Sequence, residues 1–64
     1  MTIVQATIRK IFGGYTVTAT MRQNGPMRAL TEKTVPTYTE AEAVVRAFAA
    51  THDVAWEEVE VVSR

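Results

Sequence analysis

His52 is the only histidine in the chain, and Asp53, Glu57, Glu58 and Glu60 follow it closely. An imidazole with nearby carboxylates supplies the donor types of a zinc or other divalent metal site. The spacing works against such a site. There is no cysteine, and alternate residues of a strand share a face, so Glu58 and Glu60 form a pair of their own on an exposed edge. A lone histidine at a helix end ordinarily caps the helix or packs there. Nucleophilic catalysis has as little to work with. Ser63 is the only serine, and a threonine nucleophile needs a base that no neighbouring residue supplies. Gly13-Gly14 joins two strand-like runs with no helix after it, so it lacks the helix N-terminus of a phosphate loop. The residues therefore point to no enzyme, no metal, no cofactor and no small-molecule substrate.

The cations are more informative. Residues 1–33 hold Arg9, Lys10, Arg22, Arg28 and Lys33 against Glu32 alone, a net of +4. Residues 34–64 hold Arg46 and Arg64 against six carboxylates, a net of −4. The formal net charge of zero is thus a sum of two opposed halves. Whether the basic half forms a surface depends on which strands carry it.

Apolar and polar residues alternate on both sides of Gly13-Gly14, the pattern of a β-hairpin. A Gly13-Gly14 loop pairs Phe12 with Tyr15, Lys10 with Val17, Ile8 with Ala19 and Ala6 with Met21 on a face toward the core. It pairs Ile11 with Thr16, Arg9 with Thr18, Thr7 with Thr20 and Gln5 with Arg22 on a face toward solvent. One register sorts both strands, as a sheet with one buried face requires. Asn24-Gly25 resembles a second tight turn, but Pro26 pushes its predecessor toward extended ψ, so a longer loop over 24–26 is expected. A third strand over about 27–34 then sets Met21 against Ala29 and Arg22 against Arg28. It alternates poorly, with Leu30 outward and Lys33 inward, which fits an edge strand or one that contacts another chain.

Thr39-Glu40-Ala41-Glu42 has the form of a capping box, with Tyr38 and Ala43 placed as a hydrophobic staple, and predicts a helix over 40–51. Ala41, Val44, Val45, Phe48 and His52 make its apolar stripe, and Glu42 and Arg46 an exposed i,i+4 pair. Residues 58–62 alternate again and predict a fourth strand, Val59 and Val61 toward the helix and Glu58, Glu60 and Val62 away. A right-handed crossover lays this strand parallel to the first, in spatial order 4-1-2-3. Glu58 and Glu60 would then sit near Arg9. The expected fold is a single α+β domain over 1–64, β-β-β-α-β. It comprises an antiparallel three-stranded meander, a C-terminal strand and one helix packed on one sheet face.

In this register Arg9, Thr18, Thr20, Arg22 and Arg28 share the open sheet face, a set able to contact phosphate or carbonyl groups. Three strands followed by a helix over 3–52 resembles, in element order, the arm-type DNA-binding domains of phage integrases, which present a three-stranded sheet to DNA. The resemblance would put Arg9, Arg22 and Arg28 in the general region of the DNA-contacting strands. It carries no diagnostic motif, and the fourth strand and acidic second half depart from it. The same face lacks an aromatic platform for stacking bases, and half-exposed sheets are ordinarily rich in threonine and charge.

Composition bounds what remains. A chain of 64 residues, 47% of them hydrophobic, is one domain that buries only about 60% of its unfolded surface. It has no disulfide to compensate. No apolar run exceeds four residues, which gives neither a spanning helix nor a signal-peptide core and predicts a cytoplasmic protein without a membrane partner. Phe12, Tyr15, Leu30 and Trp56 are more bulky side chains than one helix is expected to cover. The reading that follows is a non-catalytic protein-interaction module that self-associates as a homo-oligomer. Nucleic-acid binding through the threonine-rich basic face is the alternative.

Overall fold

The computed structural model describes residues 1–63. Its elements are β1 (Thr2–Ile11), β2 (Gly14–Gln23), β3 (Met27–Val35), α1 (Tyr38–Thr51), a single 3-10 turn (Trp56–Glu58) and β4 (Glu60–Ser63). The four strands form one sheet in the order β3-β2-β1-β4, with β4 parallel to β1 and the other pairs antiparallel. This is the expected β-β-β-α-β fold and strand order.

The hairpin register differs from expectation by two residues. Ile8 pairs with Val17, Ala6 with Ala19, Val4 with Met21 and Arg9 with Thr16, because the turn is Phe12-Gly13 and Gly14 already belongs to β2. Of the two glycines, Gly13 takes a positive φ, +85°, and Gly14 does not. Gly14 is needed for a different reason: a Cβ there would collide with the Val35 carbonyl oxygen where β3 ends. The displacement is even, so the side chains of β1 and β2 keep their predicted faces while their partners change. Phe12, expected to face the core opposite Tyr15, lies instead in the turn and is fully exposed.

After Gln23 the chain turns through Asn24 (φ 55°) and Gly25 (φ 107°). The Arg22 Nη1 donates to the Gly25 carbonyl at 3.3 Å, and the N-terminal ammonium donates to the Asn24 Oδ1 at 2.7 Å. Met21 does face Ala29, but Arg22 lies opposite Met27, not Arg28. A β-bulge leaves Arg28 as an extra residue between the Met27–Arg22 and Ala29–Met21 pairs, which is how the strand absorbs the extra residue of the proline-containing loop.

The helix starts two residues earlier than its sequence signal suggested. Thr37, in extended conformation, is the N-cap, and its hydroxyl accepts the Glu40 N–H at 3.2 Å. Thr37-Tyr38-Thr39-Glu40 and Thr39-Glu40-Ala41-Glu42 have the same form. The first is the one used, because Pro36 closes β3 immediately before it. Ala41, Val45, Phe48 and Ala49 are buried against the sheet. The helix ends in a Schellman motif: Val54 N–H donates to Ala49 O at 2.9 Å, Asp53 N–H donates to Ala50 O at 3.2 Å, and Asp53 adopts φ 57°. Val54 is thereby turned into the core.

The core is one layer between α1 and the inner sheet face. Val4, Ile8, Val17 and Val45 are its largest fully buried side chains. Residues 58–59, assigned to strand from their alternation, belong instead to the 3-10 turn and its exit. β4 is shorter, and sets Glu60 beside Gln5, Val61 beside Ala6 and Ser63 beside Ile8. Tyr38 and Ser63 join their hydroxyls at 2.8 Å, and Tyr38 packs edge-on to Tyr15 with ring centroids 5.6 Å apart. No helix among the described residues is long and apolar enough to cross a membrane.

Candidate interaction surface

The residues considered for metal and acid-base chemistry are not brought together. His52 caps α1 and packs on the Phe48 ring at 4.7 Å. Glu57 and Glu58 lie in the 3-10 turn, Glu60 lies on the far face of the sheet, and the Ser63 hydroxyl is bonded to Tyr38. Among the described residues no three His, Asp or Glu side chains are grouped to hold a metal ion.

The open face of the sheet is built in rows. Ile11 and Gly14 lie nearest the first hairpin turn; then come Arg9, Thr16 and Thr34; then Thr7, Thr18, Glu32 and Val62; then Gln5, Thr20, Leu30 and Glu60; and last Ile3, Arg22 and Met27, with Arg28 at the bulge. Arg9 and Arg22 are thus three rows apart, about 20 Å at 3.3 Å per residue. Arg9, Thr18, Thr20, Arg22 and Arg28 share this face, but the arginines occupy its two ends. Glu32 and Glu60 stand between them. Glu60 beside Gln5 is also four residues along the strand from Arg9, about 13 Å, so the anticipated neighbourhood of Arg9 with Glu58 and Glu60 does not form. Parallel pairing starts at Gln5, which places the acidic residues toward the N-terminal end of β1.

The middle rows of the face carry two carboxylates, Glu32 and Glu60, and no cation, and the face is partly apolar along β3. Leu30 is 60% exposed and Met27 50%, and the Thr18 hydroxyl donates to Glu32 Oε2 at 3.3 Å.

Two further features adjoin β3. The first is its free edge. Asn24 N–H donates to Met1 O, which fixes the phase of the β1-β2 ladder: odd residues of β1 exchange hydrogen bonds with even residues of β2. Odd residues of β2 then bond β3, through Val17 with Lys33, Ala19 with Thr31 and Met21 with Ala29. The backbone N–H and C=O groups of Leu30, Glu32 and Thr34 consequently point away from the sheet. The second feature is a groove of about 470 Å³ between β3 and α1, floored by Ala29, Thr31 and Lys33 and walled by Ala43, Ala47 and Thr51. The helix lies chiefly over β2, and a single helix leaves the outer part of β3 uncovered. Lys33 faces this groove as its inward position predicted.

Sequence reasoning identified β3 as irregular and as an edge, and placed Leu30 and Lys33 on their correct faces. It missed the bulge, and with it the position of Arg28, because the signal for a bulge lies in the length of the preceding loop and not in the strand. It also missed the groove, which depends on where the helix crosses the sheet.

Fold and surface together define a small α+β protein with one open sheet face, one free nine-residue edge strand and, among the described residues, no group of His, Asp or Glu side chains that could hold a metal ion. No family model, curated protein or solved structure matches the chain.

Proposed function

We propose that this protein is a non-catalytic interaction module that works by associating with another protein chain, its own kind first. The observation that carries this reading is the coincidence, along β3, of a free strand edge, an adjoining apolar groove and exposed Leu30 and Met27. A long unprotected edge presents a row of unmet backbone groups that another chain can pair with. A chain of this size also gains more than a large one from burying apolar surface against a partner.

The rival expectation, nucleic-acid binding through Arg9, Arg22 and Arg28, has less to support it. Phosphate binding draws its strength from grouped cations, whereas these three are split between two ends of a face whose middle carries Glu32 and Glu60.

Sedimentation equilibrium over micromolar to millimolar protein tests the reading. A concentration-dependent rise in mass toward twice the 7.1 kDa chain supports it. A constant monomer mass over that range removes the self-association.

A further inference from the structure

Resting on that reading, we propose that the partner of the β3 edge is β3 of a second copy, antiparallel about a twofold axis at Leu30, with Arg28 of each chain beside Glu32 of the other.

The backbone phase restricts the choice. Only residues whose N–H and C=O point outward can form the hydrogen-bonded pairs of a new ladder, and on β3 these are Leu30, Glu32 and Thr34. Arg28, at the bulge, enters the seam through its side chain on the open face. A twofold antiparallel pairing is self-complementary, so its register is set by the residue on the axis. With Glu32 on the axis, two like carboxylates lie directly opposite, which disfavours the pair. With Thr31 on the axis, Leu30 is set against Glu32, and Arg28 against Thr34. With Leu30 on the axis, the two leucines meet at the centre and two Arg28–Glu32 pairs flank them on the open face. This register alone satisfies both the charge and the apolar pattern.

Three local features agree with it. The bulge leaves Arg28 without a partner of its own on β2, and no ion pair engages it among the described residues. Glu32 takes the Thr18 hydroxyl on Oε2, which leaves its other oxygen free for a guanidinium. Lys33 points into the groove, and registers with Thr31 or Glu32 on the axis would bring it into the centre of the seam. In the Leu30 register it lies at the end of the ladder, opposite Met27 of the second chain.

The axis stands perpendicular to the sheet, so the product is one continuous eight-stranded sheet with both helices on the same side. The Ala43 and Ala47 flanks of the two helices then face each other over the seam, and small side chains there leave the helices room to lie side by side. The groove that a single chain leaves open thus becomes interior to the pair.

The absence of cysteine makes single-cysteine variants clean reporters. Hydrogen-bonded antiparallel partners have Cα atoms about 5.5 Å apart, within disulfide reach, whereas Cα atoms beyond about 7 Å are not bridged. Leu30→Cys is expected to form a disulfide dimer under mild oxidation. Glu32→Cys, about 13 Å from its own copy in this register, and Val62→Cys on the opposite edge are expected to stay monomeric in denaturing gels. Arg28→Glu should weaken the dimer about tenfold, since both symmetric pairs become repulsive. Adding Glu32→Arg to Arg28→Glu should restore it to within about threefold, as exchanging the charges retains both pairs. All of these positions are exposed, so the fold is expected to tolerate them.

The outcomes separate the two claims. Dimeric wild-type protein in which Glu32→Cys or Val62→Cys cross-links as readily as Leu30→Cys, or in which the charge exchange does not rescue, overturns the register while self-association stands. Monomeric wild-type protein at millimolar concentration overturns both.

Discussion

Gly14 lies directly against the carbonyl of Val35, so closely that a methyl group on Gly14 would occupy the space of that oxygen. This contact joins the start of β2 to the end of β3 and lets the chain pass at once into Pro36 and the Thr37 cap. Gly13, one residue earlier, has open space around it but needs φ +85°. The two neighbouring glycines are therefore required for unrelated reasons, one for space and one for torsion.

Substituting each separates those reasons. Gly13→Ala should cost about 1 kcal/mol, the usual penalty for an L-residue in left-handed conformation. Gly14→Ala should cost more, about 1–3 kcal/mol, because backbone must move to admit the methyl. Urea titration followed by far-UV circular dichroism measures both, and equal losses would show that β3 yields freely at Val35.

Asp53 offers a gain. It occupies the left-handed position of the Schellman motif at φ 57°, where glycine is the usual residue and Asp carries a steric cost. Asp53→Gly should raise stability by about 0.5 kcal/mol, seen as a higher urea midpoint at unchanged slope. A loss of stability would mean that the carboxylate does something at the helix end beyond occupying the turn.

Trp56 is the only tryptophan, and the Arg46 guanidinium lies 4.3 Å from its ring centre while also reaching Glu42 at 3.5 Å. Arg46→Ala should cost about 0.5–1 kcal/mol through the lost cation–π contact and shift the Trp56 emission to the red as water reaches the ring. Glu42→Gln removes only an exposed i,i+4 pair, worth about 0.3–0.5 kcal/mol, and should leave the emission unchanged. Emission unaltered in Arg46→Ala would show that the ring is covered by its other neighbours.

Strand identity, sheet order and the division of residues between faces were legible in the sequence because alternation reports burial, and burial is what this one-layer core selects. The hairpin partners were not, since a two-residue displacement leaves alternation unchanged and only the identity of the positive-φ glycine fixes it. The helix start was ambiguous for a similar reason: Thr37 and Thr39 each precede a glutamate by three residues, and Pro36 decides between them. The open face was legible as a set of residues but not as a surface. Arg9, Arg22 and Arg28 share a face by parity, whereas their separation depends on strand register and on a bulge that the strand itself does not announce.

That separation yields the remaining prediction. Each phosphate neutralised by a protein cation contributes about 0.9 to the slope of log affinity against log salt on duplex DNA. A surface using Arg9, Arg22 and Arg28 together would show a slope near three, reduced by about one for each arginine removed. With about 20 Å between the ends and Glu32 and Glu60 in the interval, the expected result is no saturable binding of mixed-sequence duplex or single strands at low salt. Arg9→Ala and Arg22→Ala should then leave that result unchanged. Anisotropy titration with labelled DNA decides the matter. Saturable binding whose salt slope falls with each substitution would transfer the function of the open face to nucleic acid and leave the β3 edge as a separate question.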